Sequence, residues 1–268
     1  MRACADIQGG EVWVNLSVQC QMGEWRMGHW SAGRSGSDIA DRDIDAEPIV
    51  FADRAAAGVA LGAKLKRLHL VRPVIVLGLP RGGVPVAHEV ACALDAPLDV
   101  LTVRKVGMPG QPELAMGAIA AGDVVVREPW VSSASAQLTG AFARRASIER
   151  EELERRERAY RGGLAPLVLS GHTVILVDDG LATGCTMLAA IRAARALAAA
   201  TIIAAAPVAS PEAVKLIEPE ADRVVVLQTP SALFAISEWY AGFEQTGDEE
   251  VRRLLDLHPR GAHPLSAG

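Results

Sequence analysis

One segment limits the possible folds more than any other. Residues 174–186 read VILVDDGLATGCT: four apolar residues, two adjacent carboxylates, then a turn carrying Gly180 and Gly184. An apolar, β-branched run this short is a buried strand. Apolar residues then return at helical spacing over Cys185–Ala199. A buried strand that empties through a glycine-bearing turn into a helix is the repeating unit of an α/β protein with a mainly parallel sheet. Composition agrees: half of the 268 residues are apolar, yet aromatics are only 4%. The core is therefore built from Ala, Val, Leu and Ile, which suits a parallel sheet covered by Ala-rich helices.

The same alternation extends in both directions. Asp53 is placed to cap a helix with Leu61, Leu65 and Leu68 on one face. A strand at Val74–Gly78 leads into Leu79-Pro80-Arg81-Gly82-Gly83, and Pro85 opens the next helix. Leu98–Val103 reads as a strand, while Arg104–Glu113 (RKVGMPGQPE) is too rich in Gly and Pro for an element. Ala115–Ala121 and Val124–Val126 read as a β-hairpin around Gly122-Asp123. Leu138–Arg161 is a helix whose alternating charges describe a solvated face. Strands at Thr173–Val177, Thr201–Ala206 and Arg223–Leu227 follow, with a short helix from Pro211. Three parts are expected: a poorly ordered extension over 1–47 without periodicity, an α/β domain over 48–228, and a helical appendage and tail over 229–268. In such sheets ligands sit outside the carboxyl ends of the strands, which singles out the loops 79–83, 104–113 and 178–186.

The last of these loops has a definite chemistry. Gly184 allows main-chain conformations closed to other residues, Thr183 and Thr186 supply hydroxyls, and free amides at a helix start form an anion site. Asp178 and Asp179 cannot bind the same anion. They suit a neutral, hydroxyl-rich group attached to it, or a metal, and a sugar phosphate satisfies both halves. A Walker loop is excluded because no Lys occupies its position, and the dinucleotide pattern GxGxxG is absent. The net charge of −5 leaves no footprint for nucleic acid, and no apolar run approaches a membrane span. The four cysteines, Cys4, Cys20, Cys92 and Cys185, have no metal-ligand spacing and read as reduced thiols of a cytoplasmic protein. His88 and His172 have no partner at catalytic or metal spacing.

VILVDDGLATGCT resembles the binding signature for phosphoribosyl pyrophosphate (PRPP) of the type I phosphoribosyltransferases, and the resemblance extends over about residues 49–256. It implies transfer of a phosphoribosyl group from PRPP to an acceptor nitrogen, such as that of a nucleobase, with release of pyrophosphate. Asp178 and Asp179 would then meet the ribose hydroxyls, and Ala182, Thr183, Gly184, Cys185 and Thr186 would cradle the 5′-phosphate. Arg81, Gly82 and Gly83 would take the pyrophosphate. Arg104 and Lys105 fall where the family carries a mobile catalytic loop, and with the acidic pair they complete the implied catalytic set. Mg²⁺ is the implied cofactor, held mainly through PRPP and pyrophosphate, with no metal ligand assigned to the protein. The implied partners are PRPP and a small-molecule acceptor, and a homodimer is an admissible assembly. A ligand sensor or a phosphosugar hydrolase on the same fold stays open.

Two departures stand out. Relatives acting on 6-oxopurines carry an Asp before Thr-Gly, where this chain has Ala182, which argues against a hypoxanthine–guanine substrate. Gly180 stands where a bulky aliphatic is common, which implies a more flexible loop. The aromatic residues Phe234, Trp239, Tyr240 and Phe243 read either as an amphipathic helix packed on the sheet or as an acceptor pocket.

Overall fold

The computed structural model describes residues 5–8, 11–14, 49–121, 124–128, 131, 135–162 and 164–258; for 5–8, 11–14 and 112–114 the backbone alone is described. In chain order the elements are β1 (Ala5–Gln8), β2 (Glu11–Val14), α1 (Arg54–Lys66), β3 (Val74–Gly78), α2 (Gly83–Leu94), β4 (Leu98–Val100), β5 (Val103–Met108), β6 (Gln111–Ala120) and β7 (Val124–Arg127). They continue with α3 (Ala136–Arg161), β8 (Thr173–Val177), α4 (Cys185–Ala196), β9 (Thr201–Val208), α5 (Pro211–Ile217), β10 (Arg223–Gln228), a 3₁₀ turn (Ile236–Trp239) and α6 (Asp248–Asp256).

Five strands form a parallel sheet in the order β10-β9-β8-β3-β4. Its strands have no polar face because both sides are covered. On β3 the side chains divide by alternation: Ile75 and Leu77 pack with Met187, Ala190 and Ile191 of α4. Val74 and Val76 pack instead with Leu61 and Leu65 of α1 and with Val86 and Val90 of α2. Helices α2 and α4 thus cover opposite faces, although the strands that feed them are neighbours, with Gly78 opposite Val177. The chain leaving β3 turns to one face and on to β4. The chain leaving β8 turns to the other face and on to β9. This divergence opens a crevice at the carboxyl ends of two adjacent strands, the place where sheets of this kind bind ligands.

Local signals account for the boundaries. The Asp53 side chain accepts from Ala56 N at 2.8 Å and starts α1. Ser210 does the same for α5, with Pro211 at its first position. Helix α4 stops at Ala196, three residues short of the expected end.

Residues 104–113 correct the sequence expectation. They are not a loop: β5 runs outward to Met108 and returns antiparallel as β6 from Gln111. The glycines are absorbed by a register shift around Gly107 and by Gly110, whose φ of 80° makes the turn. The strand expected over Leu98–Val103 accordingly splits, β4 joining the parallel sheet and β5 a second sheet ordered β1-β2-β7-β6-β5. The hairpin read at Ala115–Val126 is present as β6–β7, with Gly122-Asp123 outside the described residues. Of the 1–47 extension, which the sequence pattern leaves without elements, β1 and β2 pair with each other and β2 joins β7; the remainder lies outside the described residues.

Helix α3 packs Phe142, Ala146 and Leu153 on the second sheet. Its charges are not all solvated, since Arg161 is 4% exposed and pairs with fully buried Asp99 at 3.1 Å. The 234–243 segment is not an amphipathic helix. Beyond the 3₁₀ turn it is extended, bridges Phe51 through Tyr240, and leaves Phe234 exposed. Helix α6 returns Val251, Leu254 and Leu255 to the core on the α2 side. Among the described residues no helix is long and apolar enough to cross a membrane.

Candidate active site

The two loops that diverge from β3 and β8 are in contact. Leu79 N donates to Val177 O at 2.9 Å, and Gly83 N closes the turn onto Leu79 O at 3.1 Å. The Pro80–Arg81 peptide is cis. A Cβ on Gly83 would stand 2.5 Å from Val177 O and 2.8 Å from Asp178 Cα, and one on Gly82 would collide with the Asp179 carboxylate. The family resemblance gives these glycines to the pyrophosphate; the structure gives them a prior task, letting two loops meet.

At that meeting point lies the acidic pair. Asp178 Oδ1 accepts from Asp179 N at 2.9 Å. Asp179 Oδ2 accepts from Arg54 Nε at 2.9 Å, and both side chains are mostly buried. Arg54 is itself pinned: Nη1 donates to Glu244 O at 2.8 Å, and the guanidinium lies 3.8 Å from the centre of the Phe243 ring. Tyr240 Oη donates to Asp179 O at 2.6 Å. Desolvation pushes the Asp178 carboxyl well above the ordinary carboxylate range, and the Asp179 charge pushes the same way. Desolvation also raises Asp179, against the Arg54 guanidinium that opposes it. Two carboxyls share one guanidinium, so the pair favours hydrogen-bond donors or a further cation. Arg54 was not legible as a site residue, because it is 125 positions from Asp179 and only the fold joins them; Tyr240, read from the sequence as a packing or acceptor-pocket residue, instead holds the Asp179 backbone.

Helix α4 starts beside this pair. Gly184 precedes it with φ of 74°, a left-handed conformation that favours glycine. Ala182, Thr183 and Thr186 are exposed, and Cys185 is half-buried. First-turn amides have no partner within a helix, and the dipole adds positive potential there. The loop is clamped from outside: Ser210 Oγ donates to Ala182 O at 2.7 Å, and Ser210 N to Leu181 O at 2.9 Å. Gly180, which the sequence reads as a source of flexibility, instead makes room for Ile236, whose Cδ1 would lie 2.5 Å from a Cβ at that position.

A cleft of about 350 Å³ adjoins the two loops, meeting them at Pro80 and Thr186, and is lined by Arg104, Lys105, Arg145, Glu149 and Arg156 among others. Arg104 and Lys105 reach it from strand β5 and not from a loop. Arg104 is held there by Glu149, its Nη2 2.6 Å and its Nε 3.0 Å from Oε2. Arg145 binds the other oxygen of Glu149 at 2.9 Å. The face of α3 that carries Arg145, Glu149 and Arg156 therefore lines the cleft, which corrects its reading as solvated. Their spacing on one helix face was a usable signal. Arg81 is not among the lining residues; its guanidinium lies 3.6 Å from Asp248 of α6. His172 is buried, with Nδ1 3.0 Å from Ser170 O, a structural contact away from the cleft.

Residues 62–241 match the phosphoribosyl transferase domain family. The chain belongs to this family, the type I phosphoribosyltransferases. It is 45% identical over 216 residues to a Mycobacterium tuberculosis protein provisionally named a phosphoribosyl transferase, known from strains H37Rv and CDC 1551. That match covers 77% of this chain and 46% of the relative, so the chain spans about half the length of the curated relatives it matches. Among solved structures, the protein TT1426 from Thermus thermophilus is 41% identical, with a TM-score of 0.69 over 77% of this chain and 98% of that one. The family match contains both loops, the acidic pair and the lined cleft. Arg54, Phe243 and Asp248 lie outside it.

Proposed function

We propose that the crevice binds PRPP and that the protein transfers its phosphoribosyl group to an acceptor nitrogen, releasing pyrophosphate. The observation that carries this reading is the contact of the two loops at Gly82–Asp179. It brings the start of α4 and the acidic pair together, and the basic cleft adjoins them at Pro80 and Thr186, an arrangement that would suit phosphate, ribose and pyrophosphate in turn. The 5′-phosphate would rest on Ala182–Thr186, and the ribose hydroxyls would donate to Asp178 and Asp179. The pyrophosphate would lie along Pro80–Gly83 towards Arg104, Lys105 and Arg145.

In the transfer, the bond from the anomeric carbon to pyrophosphate breaks, a bond to the acceptor nitrogen forms, and the proton of that nitrogen passes to solvent. Negative charge gathers on the leaving group, so the basic lining acts where charge develops. The acidic pair fixes the ribose relative to that lining. Two buried carboxyls share the single Arg54 guanidinium and resist ionising without a further cation, so Asp178 and Asp179 are oxygen donors that would hold Mg²⁺ beside the ligand. When bound, the ion would neutralise part of the leaving-group charge. Tyr240 is buried against Asp179 and Phe51, which removes it from the surfaces open to an acceptor.

Calorimetry with PRPP and Mg²⁺, followed by pyrophosphate release across a panel of bases, tests the proposal. Binding together with base-dependent release is the expected outcome. Binding without turnover on any base or in water would identify a ligand sensor instead, and release without any base a hydrolase. Failure to bind PRPP would overturn the reading.

A further inference from the structure

Away from the cleft, on the far side of α2, three groups converge that the transfer reaction does not use. His88 Nδ1 lies 2.7 Å from His258 Nε2, and Cys92 Sγ lies 3.7 Å from the same His258 nitrogen. All three ligand atoms fall within 4.8 Å of one another. His88 and Cys92 stand four residues apart on α2, hence on one helix face, and His258 arrives just past the end of α6. This corrects the sequence reading of His88 as partnerless: Cys92 follows it at i+4 on the same helix, and only the third member, 170 positions away, needed the fold.

We infer that His88, Cys92 and His258 form a binding site for a borderline-soft divalent cation of the Zn²⁺ class. Two imidazole nitrogens and a thiolate are the donors that Zn²⁺ prefers. With metal–nitrogen bonds of about 2.0–2.1 Å and metal–sulfur bonds of about 2.3 Å, tetrahedral ligand atoms stand roughly 3.3–3.6 Å apart. The observed separations are 2.7 Å between the two imidazole nitrogens and 3.7 Å from Cys92 Sγ to His258, with all three atoms within 4.8 Å, so side-chain rotations that part the nitrogens and draw in Cys92 complete the site. The two rings meet edge to face, with centroids 4.8 Å apart, and both nitrogens point to the shared space. On binding, the Cys92 thiol gives its proton to solvent. The ring that now donates the His–His hydrogen bond moves its hydrogen to its other nitrogen. Water fills the fourth position. The ion would fasten the chain after α6 to α2, whose first residue is Gly83 of the contact between the loops.

The test uses the full chain, stripped with chelator and kept reduced, and titrated with Co²⁺ and with Zn²⁺. The expected result is saturable uptake of one Co²⁺ per chain, with a near-ultraviolet thiolate-to-cobalt band and the visible absorption of tetrahedral cobalt, displaced by Zn²⁺. Cys92→Ser should abolish the thiolate band, and His258→Ala should abolish saturable uptake. Cys4→Ser and Cys20→Ser should leave both intact. Circular dichroism of each metal-free variant checks that it is folded; Cys92 is exposed, so its replacement by Ser is tolerated. Zn²⁺ should raise the melting temperature of the unaltered chain and not that of His258→Ala. A thiolate band that survives Cys92→Ser, or no saturable binding by the unaltered chain, would overturn the assignment.

Discussion

Arg54 Nε stands 2.9 Å from Asp179 Oδ2, linking the first residue of α1 to the acid at the end of β8. The contact is reinforced by residues at and beyond the end of the family match. Phe243 covers the guanidinium, Glu244 O accepts from it, and Tyr240 donates to the backbone of the same aspartate. The acidic pair is therefore held in place by parts of the chain that the signature motif does not include.

Arg54→Met should destabilise the fold by about 3 kcal/mol, because it leaves a buried carboxylate without its cation. In an Asp179→Asn background the same change should cost much less, since no charge remains to be compensated. A double-mutant cycle by chemical denaturation measures the difference. Additive costs would show that the guanidinium acts through its packing on Phe243 alone.

Asp178→Asn should stabilise the unliganded protein at neutral pH and weaken its ligand. Burial raises both carboxyls above their ordinary value of 3.8, and the Asp179 charge pushes Asp178 further the same way. Folding therefore takes up protons above that value. The stability these groups contribute is fully present below pH 3.8 and is lost as pH rises through the raised values. Asn cannot ionise but can still accept from Asp179 N. The variant should melt higher than the parent at pH 7, and the gap should close as pH falls towards 4. Loss of a charge-assisted ribose contact, about 1.5–3 kcal/mol, should weaken PRPP roughly ten- to a hundredfold. Melting curves across pH and calorimetry report the two effects; equal melting at every pH would contradict the burial argument.

The parallel sheet was legible because its cause is local. Buried strands such as Val74–Gly78 and Thr173–Val177 are short apolar runs, and their helices carry caps and period. The strand–turn–helix of residues 174–186 was legible for the same reason, being thirteen consecutive residues whose local conformation is written in their own pattern. Arg104–Glu113 misleads because Gly and Pro argue against strands on average, whereas here a bulge and a turn absorb them. Glu149, Arg145, Arg54 and Ser210 were missed because each gains its role through a contact between distant segments. Spacing along α3 could have raised Arg145 and Glu149 as candidates. No sequence pattern marks Arg54.

Gly184→Val should leave a folded protein that has lost the phosphate. The position has a φ of 74°, where a side chain costs about 1–2 kcal/mol. Its Cβ would also press on Ala213 at 3.1 Å, displacing the start of α4 from α5. A modest drop in melting temperature with loss of PRPP binding is expected. A folded variant with unchanged affinity would remove Ala182–Thr186 from the proposed phosphate site.

Glu149 gives the sharpest test of the basic cleft. It is the single carboxylate among the cleft's lining residues, and it holds Arg104 at 2.6 Å and Arg145 at 2.9 Å. Pyrophosphate entering the cleft must either share these guanidiniums with Glu149 or take them from it. Glu149→Gln keeps the shape and one hydrogen-bond acceptor but removes the competing charge. If Glu149 acts chiefly as a competitor, pyrophosphate should bind roughly tenfold more tightly, a gain of about 1.4 kcal/mol. Turnover should then fall through slower product release. Arg104→Ala and Lys105→Ala make the opposite change. They should lower kcat more than they raise the KM for PRPP, because their charges matter most as the leaving group departs. Calorimetry with pyrophosphate at two salt concentrations, beside steady-state rates with the best acceptor, separates the cases. Weaker pyrophosphate binding by Glu149→Gln would mean that the carboxylate orients Arg104 and Arg145 for the ligand, and the competition argument would fail.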